Sequence, residues 1–113
     1  MVMNDPQIRA VLSHLPTHTG MSLMASERRR YALEALLDHG HMTLPDLAEA
    51  VAVLEQNRSF AEIPEHTVLA TYTGLWHCDI PKLVEAGVIT YEQELDRITL
   101  KTTMNEPRMQ SAD

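Results

Sequence analysis

The sequence predicts a mainly helical fold that ends in a short β-hairpin. Apolar residues recur at helical spacing in three successive segments between residues 26 and 87. Two short runs of β-branched and aromatic residues, 88–91 and 97–100, follow the last of these segments. Because a lone hairpin is not stable in water, we expect it to pack against the helices.

Length and composition exclude several classes of protein. The chain has 113 residues, enough for one domain, and its 16 Asp and Glu against 9 Lys and Arg give a net charge of -7. Its single cysteine, Cys78, excludes an intramolecular disulfide. No apolar run reaches the roughly 18 residues that span a bilayer, and the first residues do not resemble a secretory signal. We therefore expect a cytoplasmic protein.

Residues 1–25 differ from the rest of the chain and are predicted to be an N-terminal arm, either partly helical or disordered. Ile8, Val11 and Leu12 lie at helical spacing within a segment of about 6–14. Pro16 and Gly20 then predict a break, since both residues interrupt regular structure.

The first two helices of the main domain have clear start signals. Ser26 is a candidate N-cap for a helix over about 27–39, and Gly40 supplies its end. Thr43 is a candidate N-cap for a second helix over about 44–56, with Pro45 in its first turn. The apolar stripes of these helices are Ala32, Leu33, Leu36 and Leu37, then Leu47, Ala48, Ala50, Val51 and Leu54. In the loop that follows, Phe60 and Ile63 are predicted to pack against the body of the domain.

The third helix is predicted to run from Pro64 to Gly87. Its buried arc comprises Val68, Tyr72, Leu75, Trp76, Ile80 and Leu83. Its opposite arc comprises Thr67, Ala70, Gly74, His77 and Pro81. Because Pro81 lacks a backbone donor and crowds the carbonyl of His77, we expect a kink or a short break near it.

This order of elements is that of a winged helix-turn-helix, with three helices and a two-stranded wing. The predicted winged-helix domain occupies residues 26–101, and residues 102–113 are predicted to be a flexible C-terminal tail.

Three segments of the chain resemble a known family. They are residues 26–33 (SERRRYAL), 44–49 (LPDLAE) and 77–91 (HCDIPKLVEAGVITY). Together they resemble a winged-helix domain of unknown function from halophilic archaea, distantly similar to the ArsR and MarR transcriptional regulators. The segment 83–89 is similar to the L-x-x-A-G-L-V ending of regulator recognition helices. The resemblance implies a winged-helix fold, homodimers and a role in transcription, and the acidic composition suits a proteome in concentrated salt.

The first functional hypothesis is a regulator that binds double-stranded DNA as a homodimer. It places the exposed arc of the third helix in the major groove and the wing on the backbone. The candidate contact residues are Thr67, Thr71, Gly74, His77 and Lys82 on the helix, with Arg97 and Lys101 on the wing. The charge opposes this hypothesis, since residues 64–87 hold one basic and three acidic side chains, a net charge of -2. In multimolar salt the negative charge is a weaker objection to DNA binding, because the release of counterions then contributes little to the binding free energy.

The alternative hypothesis is a winged-helix module for protein interaction or dimerisation that does not bind DNA directly. An acidic third helix is what this alternative predicts. Met21, Leu23 and Met24 would add an apolar contact between two copies of the chain.

The run Arg28-Arg29-Arg30 has two interpretations. The arginines could contact phosphate, or they could form salt bridges within the chain to carboxylates such as Glu34. The second reading is favoured, because three consecutive helical residues point in directions too different to address one ligand.

The sequence predicts neither a metal site nor an enzyme. The close pairs His39 with His41 and His77 with Cys78 do not have the spacing of zinc ligands. Neither a nucleophile elbow nor a glycine-rich phosphate loop is present, so no cofactor is expected.

Overall fold

The computed structural model describes residues 5–101, which form helices and a small three-stranded antiparallel sheet. The helices are α1 (Asp5–Leu12), α2 (Thr17–Met24), α3 (Glu27–His39), α4 (Leu44–Gln56), α5 (Glu65–Gly74) and α6 (Ile80–Glu85). The strands are β1 (His41–Met42), β2 (Ile89–Glu92) and β3 (Arg97–Leu100). The prediction of a mainly helical class with a C-terminal hairpin is confirmed. The predicted tail, 102–113, lies outside the described residues.

The two N-terminal helices share the core of the rest of the chain. Ile8, Val11 and Leu12 of α1 are buried, as is Leu23 of α2, and all four belong to the same apolar cluster as α3 and α4. The predicted break is present at residues 13–16, between α1 and α2, but its extension to Gly20 is wrong, because α2 starts at Thr17 and includes Gly20. Pro16 stands just before the first turn of α2, where its missing N–H is not needed.

Helices α3 and α4 have the predicted boundaries and caps. The Ser26 hydroxyl accepts a hydrogen bond from the Arg29 N–H at 3.2 Å, and the Thr43 hydroxyl accepts one from the Asp46 N–H at 3.1 Å. Gly40 ends α3 with a φ of 84°, a conformation that glycine adopts without strain. Helix α4 packs against both α3 and α5.

One prediction for the loop after α4 is confirmed and one is wrong. Ile63 is 7% exposed and packs in the core, whereas Phe60 is 49% exposed. Phe60 opens a single 3-10 turn, Phe60–Glu62, which places its ring on the surface beside α5.

The predicted third helix is divided into three parts. Between α5 and α6, residues Leu75–Asp79 form a π-helical turn that ends two residues before Pro81. The expected interruption near Pro81 is thus confirmed. A π turn holds one residue more than an α turn, so it changes which residues face the core. As a result Trp76, predicted to be buried, is 38% exposed, and Asp79 is fully buried.

The hairpin is confirmed and gains a third strand. Strands β2 and β3 pair antiparallel, with Tyr91 opposite Ile98 and Glu92 opposite Arg97. The unpredicted strand β1 pairs with the other edge of β3, so the sheet order is β1-β3-β2. The buried side chains of the sheet, Ile89, Ile98 and Leu100, pack against the helices.

No helix within residues 5–101 combines the length and the apolar character needed to cross a membrane.

Candidate functional site

An open groove of about 1080 Å³ lies between the π turn and α6 on one side and the tip of the hairpin on the other. Its apolar lining is Trp76, Ile80, Pro81, Val84, Tyr91 and Leu95. Its polar lining is His77, Glu85, Glu92, Gln93 and Glu94. We call it the α6–hairpin groove.

The charged groups of the α6–hairpin groove are acidic. Glu85 comes from the helical wall, and Glu92 and Glu94 come from the hairpin wall. Within the described part of the chain, neither Lys nor Arg lines the groove. Arg97 approaches Glu92 from outside, at 3.9 Å between Nη1 and Oε1, but both side chains are about half exposed and the pair is weak. The groove therefore presents a negative potential around an apolar floor.

Two aromatic rings connect the walls of the groove. The ring centroids of Trp76 and Tyr91 lie 6.0 Å apart with an interplanar angle of 88°, an edge-to-face contact. The Tyr91 hydroxyl donates to Oδ1 of Asp96 at 3.4 Å, and the same oxygen accepts the Leu44 N–H at 3.0 Å. Partial burial, followed by the negative charge and the hydrogen bond of Asp96, raises the pKa of Tyr91. These contacts orient the hairpin tip relative to α4 and the π turn.

A cluster of three charges, of which Asp79 and Arg29 are buried and Arg28 is partly exposed, lies at the inner side of the π turn. Asp79 is 0% exposed and accepts hydrogen bonds from Nε of Arg28 and from Nη1 of Arg29, the latter at 3.3 Å. Desolvation alone lowers the pKa of Arg28, but the hydrogen bond and charge of Asp79 together outweigh it, so the pKa is raised. Arg29 also donates to the carbonyls of Leu23 at 3.1 Å and Ser22 at 2.9 Å.

The arginine run therefore makes contacts within the chain. Arg28 and Arg29 pair with Asp79, and Arg30 donates to the Met24 carbonyl at 2.8 Å. The favoured reading of internal salt bridges is confirmed for Arg28 and Arg29, with Asp79 as the partner instead of Glu34.

One of the predicted DNA-contact residues is buried, and a second is partly covered. Thr71 is 5% exposed, and its hydroxyl donates to Oε1 of Glu55 at 3.1 Å. Gly74 lies under the Arg28 guanidinium, since a Cβ built on it would stand 2.5 Å from Cζ of Arg28. The burial of Thr71 against α4 opposes its predicted contact with DNA, and the Arg28 guanidinium partly covers Gly74.

The other candidates remain accessible but do not form one basic surface. Thr67 is half-buried, and the exposed side chains are His77, Lys82, Arg97 and Lys101. His77 lies in the α6–hairpin groove, beside its carboxylates. The contribution of the hairpin tip was missed by sequence reasoning, although the acidic run from Glu92 to Asp96 was a visible signal.

A second groove of about 780 Å³ lies between α4 and α5. Phe60 and Leu69, which are 49% and 63% exposed, line it together with Ile63, Val68 and Tyr72. Within residues 5–101, the two grooves included, the side chains of His, Cys, Asp and Glu do not gather in groups of three or more that could hold a metal ion.

A family model described as "Domain of unknown function (DUF7344)" matches residues 21–99. The chain belongs to the DUF7344 family. The DUF7344 match includes every residue that lines the α6–hairpin groove, and it includes Arg28, Arg29 and Asp79. Comparisons with curated proteins and with solved structures gave no significant match.

Proposed function

We propose that this DUF7344 chain is a winged-helix module whose exposed helical face binds protein, not duplex DNA. The observation that carries the proposal is the lining of the α6–hairpin groove, where apolar side chains are combined with the carboxylates of Glu85, Glu92 and Glu94. A surface of this kind suits a protein partner, whereas phosphate groups would be repelled.

The topology supports the winged-helix part of the proposal. A helix, a short strand, three helices and a hairpin follow one another from α3 to β3, and β3 lies between β1 and β2 in the sheet. Helices α4 and α5 then correspond to the helix-turn-helix, and the hairpin β2–β3 corresponds to the wing. The face of α5 and α6 that points away from α4 is the surface that such a module presents to its partner.

The charges support the choice of partner. Helix α5 contains neither Lys nor Arg, so it carries no cation that could release counterions from DNA. Arg28 and Arg29, the two arginines that contact the π turn, both pair with Asp79, whose single negative charge offsets one of their two positive charges. The acidic side chains on both walls of the α6–hairpin groove would face any duplex that approached the helix and the wing together.

Duplex DNA remains the second candidate partner, and a specific observation favours it. His77, Lys82, Arg97 and Lys101, four of the seven predicted contact residues, are exposed on the last part of the helix and on the wing. In this candidate role they would contact phosphates or base edges, and the protein would act as a transcriptional regulator.

A gel-shift series separates the two candidates. Random and genomic duplexes are titrated with the full chain from low to multimolar potassium chloride, and we expect no shifted band at any salt concentration. A shift that weakens in His77→Ala/Lys82→Ala, but not in Arg58→Ala, would overturn the proposal in favour of DNA. Arg58 is the matched control because it is an exposed cation on the loop after α4, away from the groove.

We further propose that the chain forms a homodimer. Of the residues predicted to contribute an apolar contact, Met21 is 67% exposed, whereas Leu23 is 5% exposed and serves the core of its own chain. Sedimentation velocity should show a dimer that Met21→Glu weakens. A monomer at every concentration tested would contradict the homodimer.

A further inference from the structure

We infer that the α6–hairpin groove binds a segment of another protein that carries an apolar side chain flanked by Lys or Arg. This inference rests on the proposed function and specifies the chemistry of the partner.

The apolar part of the argument comes from exposed hydrophobic side chains on both walls. Trp76, Val84 and Leu95 are 38%, 42% and 59% exposed. Trp76 and Val84 belong to the helical wall, and Leu95 belongs to the hairpin tip, so they converge on one groove from two elements. Burial of such side chains is favourable by about 25 cal/mol per Å² of apolar surface. An inserted apolar side chain would bury part of this apolar surface.

The charge of the groove selects among apolar partners. Glu85 stands on one wall, and Glu92 and Glu94 stand on the other, without a Lys or Arg among the described lining residues. A segment with basic residues on both sides of its apolar anchor would place a cation near each wall. An acidic segment would meet like charges, which disfavours its binding and slows its association.

Trp76 adds a preference for arginine or lysine. Its indole is partly exposed in the same groove as the three carboxylates. A cation over an indole face is attracted by the ring quadrupole, and arginine also stacks on it. The edge-to-face contact with Tyr91 holds the ring in place, so the partner does not have to order it.

A second copy of the chain is a poorer occupant than a basic segment. The chain has 9 Lys and Arg against 16 Asp and Glu, so a second copy offers few cations to the acidic walls of this groove. The anchor that fits the groove must also come with cations, and the arginine run of the chain is held by Asp79 and by backbone carbonyls. A chemically different, basic partner therefore complements the groove better.

A selection from a random peptide library displayed on phage, with the full chain as bait, tests the inference. We expect the enriched peptides to combine Leu, Phe or Trp with flanking Lys or Arg. A synthetic member of the enriched set that lacks Trp is then titrated while the emission of Trp76, the single tryptophan of the chain, reports its binding.

Variants place the binding site. Fluorescein anisotropy of the labelled peptide should show a loss of affinity of about tenfold or more for Trp76→Ala, and a comparable loss for Glu85→Lys/Glu94→Lys. Phe60→Ala removes an exposed apolar side chain from the α4–α5 groove and should leave the affinity unchanged. Far-ultraviolet circular dichroism confirms that each variant is folded.

Each contrary result has a distinct meaning. Enrichment of acidic peptides, the absence of enrichment, or an affinity that only Phe60→Ala lowers would overturn the inference and leave the proposed function intact. Binding of random duplex DNA in the gel-shift series would overturn the proposed function and the inference with it.

Discussion

Arg29 and Asp79 form an ion pair that is buried at both ends, with Nη1 of the guanidinium 3.3 Å from Oδ1 of the carboxylate. The two residues lie 50 positions apart in the chain. Nη2 and Nε of Arg29 donate to the carbonyls of Ser22 and Leu23, respectively. A single carboxylate in the π turn thus organises the contact among α2, α3 and the helix that forms one wall of the α6–hairpin groove.

The substitution Asp79→Ala should lower the free energy of unfolding by about 3–5 kcal/mol, because it leaves the buried Arg29 charge without a partner. Urea denaturation followed by circular dichroism measures the change. Glu85→Ala is the control, since this exposed carboxylate should alter stability by no more than about 0.5 kcal/mol. Equal losses in the two variants would show that the buried pair does not stabilise the fold.

Gly74→Ala should fail to stabilise α5, although alanine is the better helix former by about 1 kcal/mol. The new Cβ would stand 2.5 Å from Cζ of Arg28, so the guanidinium would have to move away from Asp79. In an Arg28→Ala background the obstacle is gone, and the same substitution should then be stabilising. Urea denaturation of the four proteins in this double-mutant cycle measures the coupling, and additive effects would contradict it.

Short-range signals explain why much of the fold could be predicted from the sequence. The caps Ser26 and Thr43 bond to N–H groups three residues away, so the starts of α3 and α4 were visible locally. The strands of the hairpin were visible as β-branched runs. Strand β1 has only two residues, His41 and Met42, and is too short to show any periodicity.

The candidate site was harder to predict because it depends on the π turn and on distant pairings. A constant helical period places Trp76 inside and gives no reason to bury Asp79, whereas the π turn reverses both outcomes. The partner chosen for the arginine run, Glu34, was a neighbour in sequence, and the actual partner comes from another helix. The sequence of the acidic hairpin tip predicts a turn. The groove wall that this tip forms opposite α6 depends on tertiary packing, which local sequence patterns do not predict.

Thr71→Val should lower the free energy of unfolding by about 1 kcal/mol, because it removes the hydrogen bonds from the hydroxyl to Oε1 of Glu55 and to the Thr67 carbonyl. Thr73→Val, on the exposed side of the same helix, is the matched control and should change stability little. Thermal or urea unfolding compares the two. If Thr73 proved the more sensitive position, the burial of Thr71 would not account for its role.

Stability at alkaline pH should depend on Tyr91. Because partial burial and Asp96 raise the pKa of Tyr91 in the folded chain, the unfolded chain loses the phenol proton at a lower pH than the folded chain does. The stabilisation is therefore complete below the ordinary tyrosine pKa of about 10 and is lost as the pH rises through the folded value. Urea midpoints at about pH 8 and about pH 11 should fall less in Tyr91→Phe than in the wild type.

Tyr31 provides the internal control for this alkaline loss. Desolvation and the hydrogen bond to Glu27 raise the pKa of Tyr31 as well. Tyr31 lies on α3, away from Tyr91 on β2, and it also contributes to the loss of stability at alkaline pH. The urea midpoint of Tyr31→Phe should still fall between these two pH values by the amount that Tyr91 causes. The midpoint of the double variant Tyr31→Phe/Tyr91→Phe should fall least. An identical fall in the wild type and in Tyr91→Phe would mean that the Asp96 contact does not hold the phenol in its protonated form, and the hairpin tip would then lack the anchor that we assign to it.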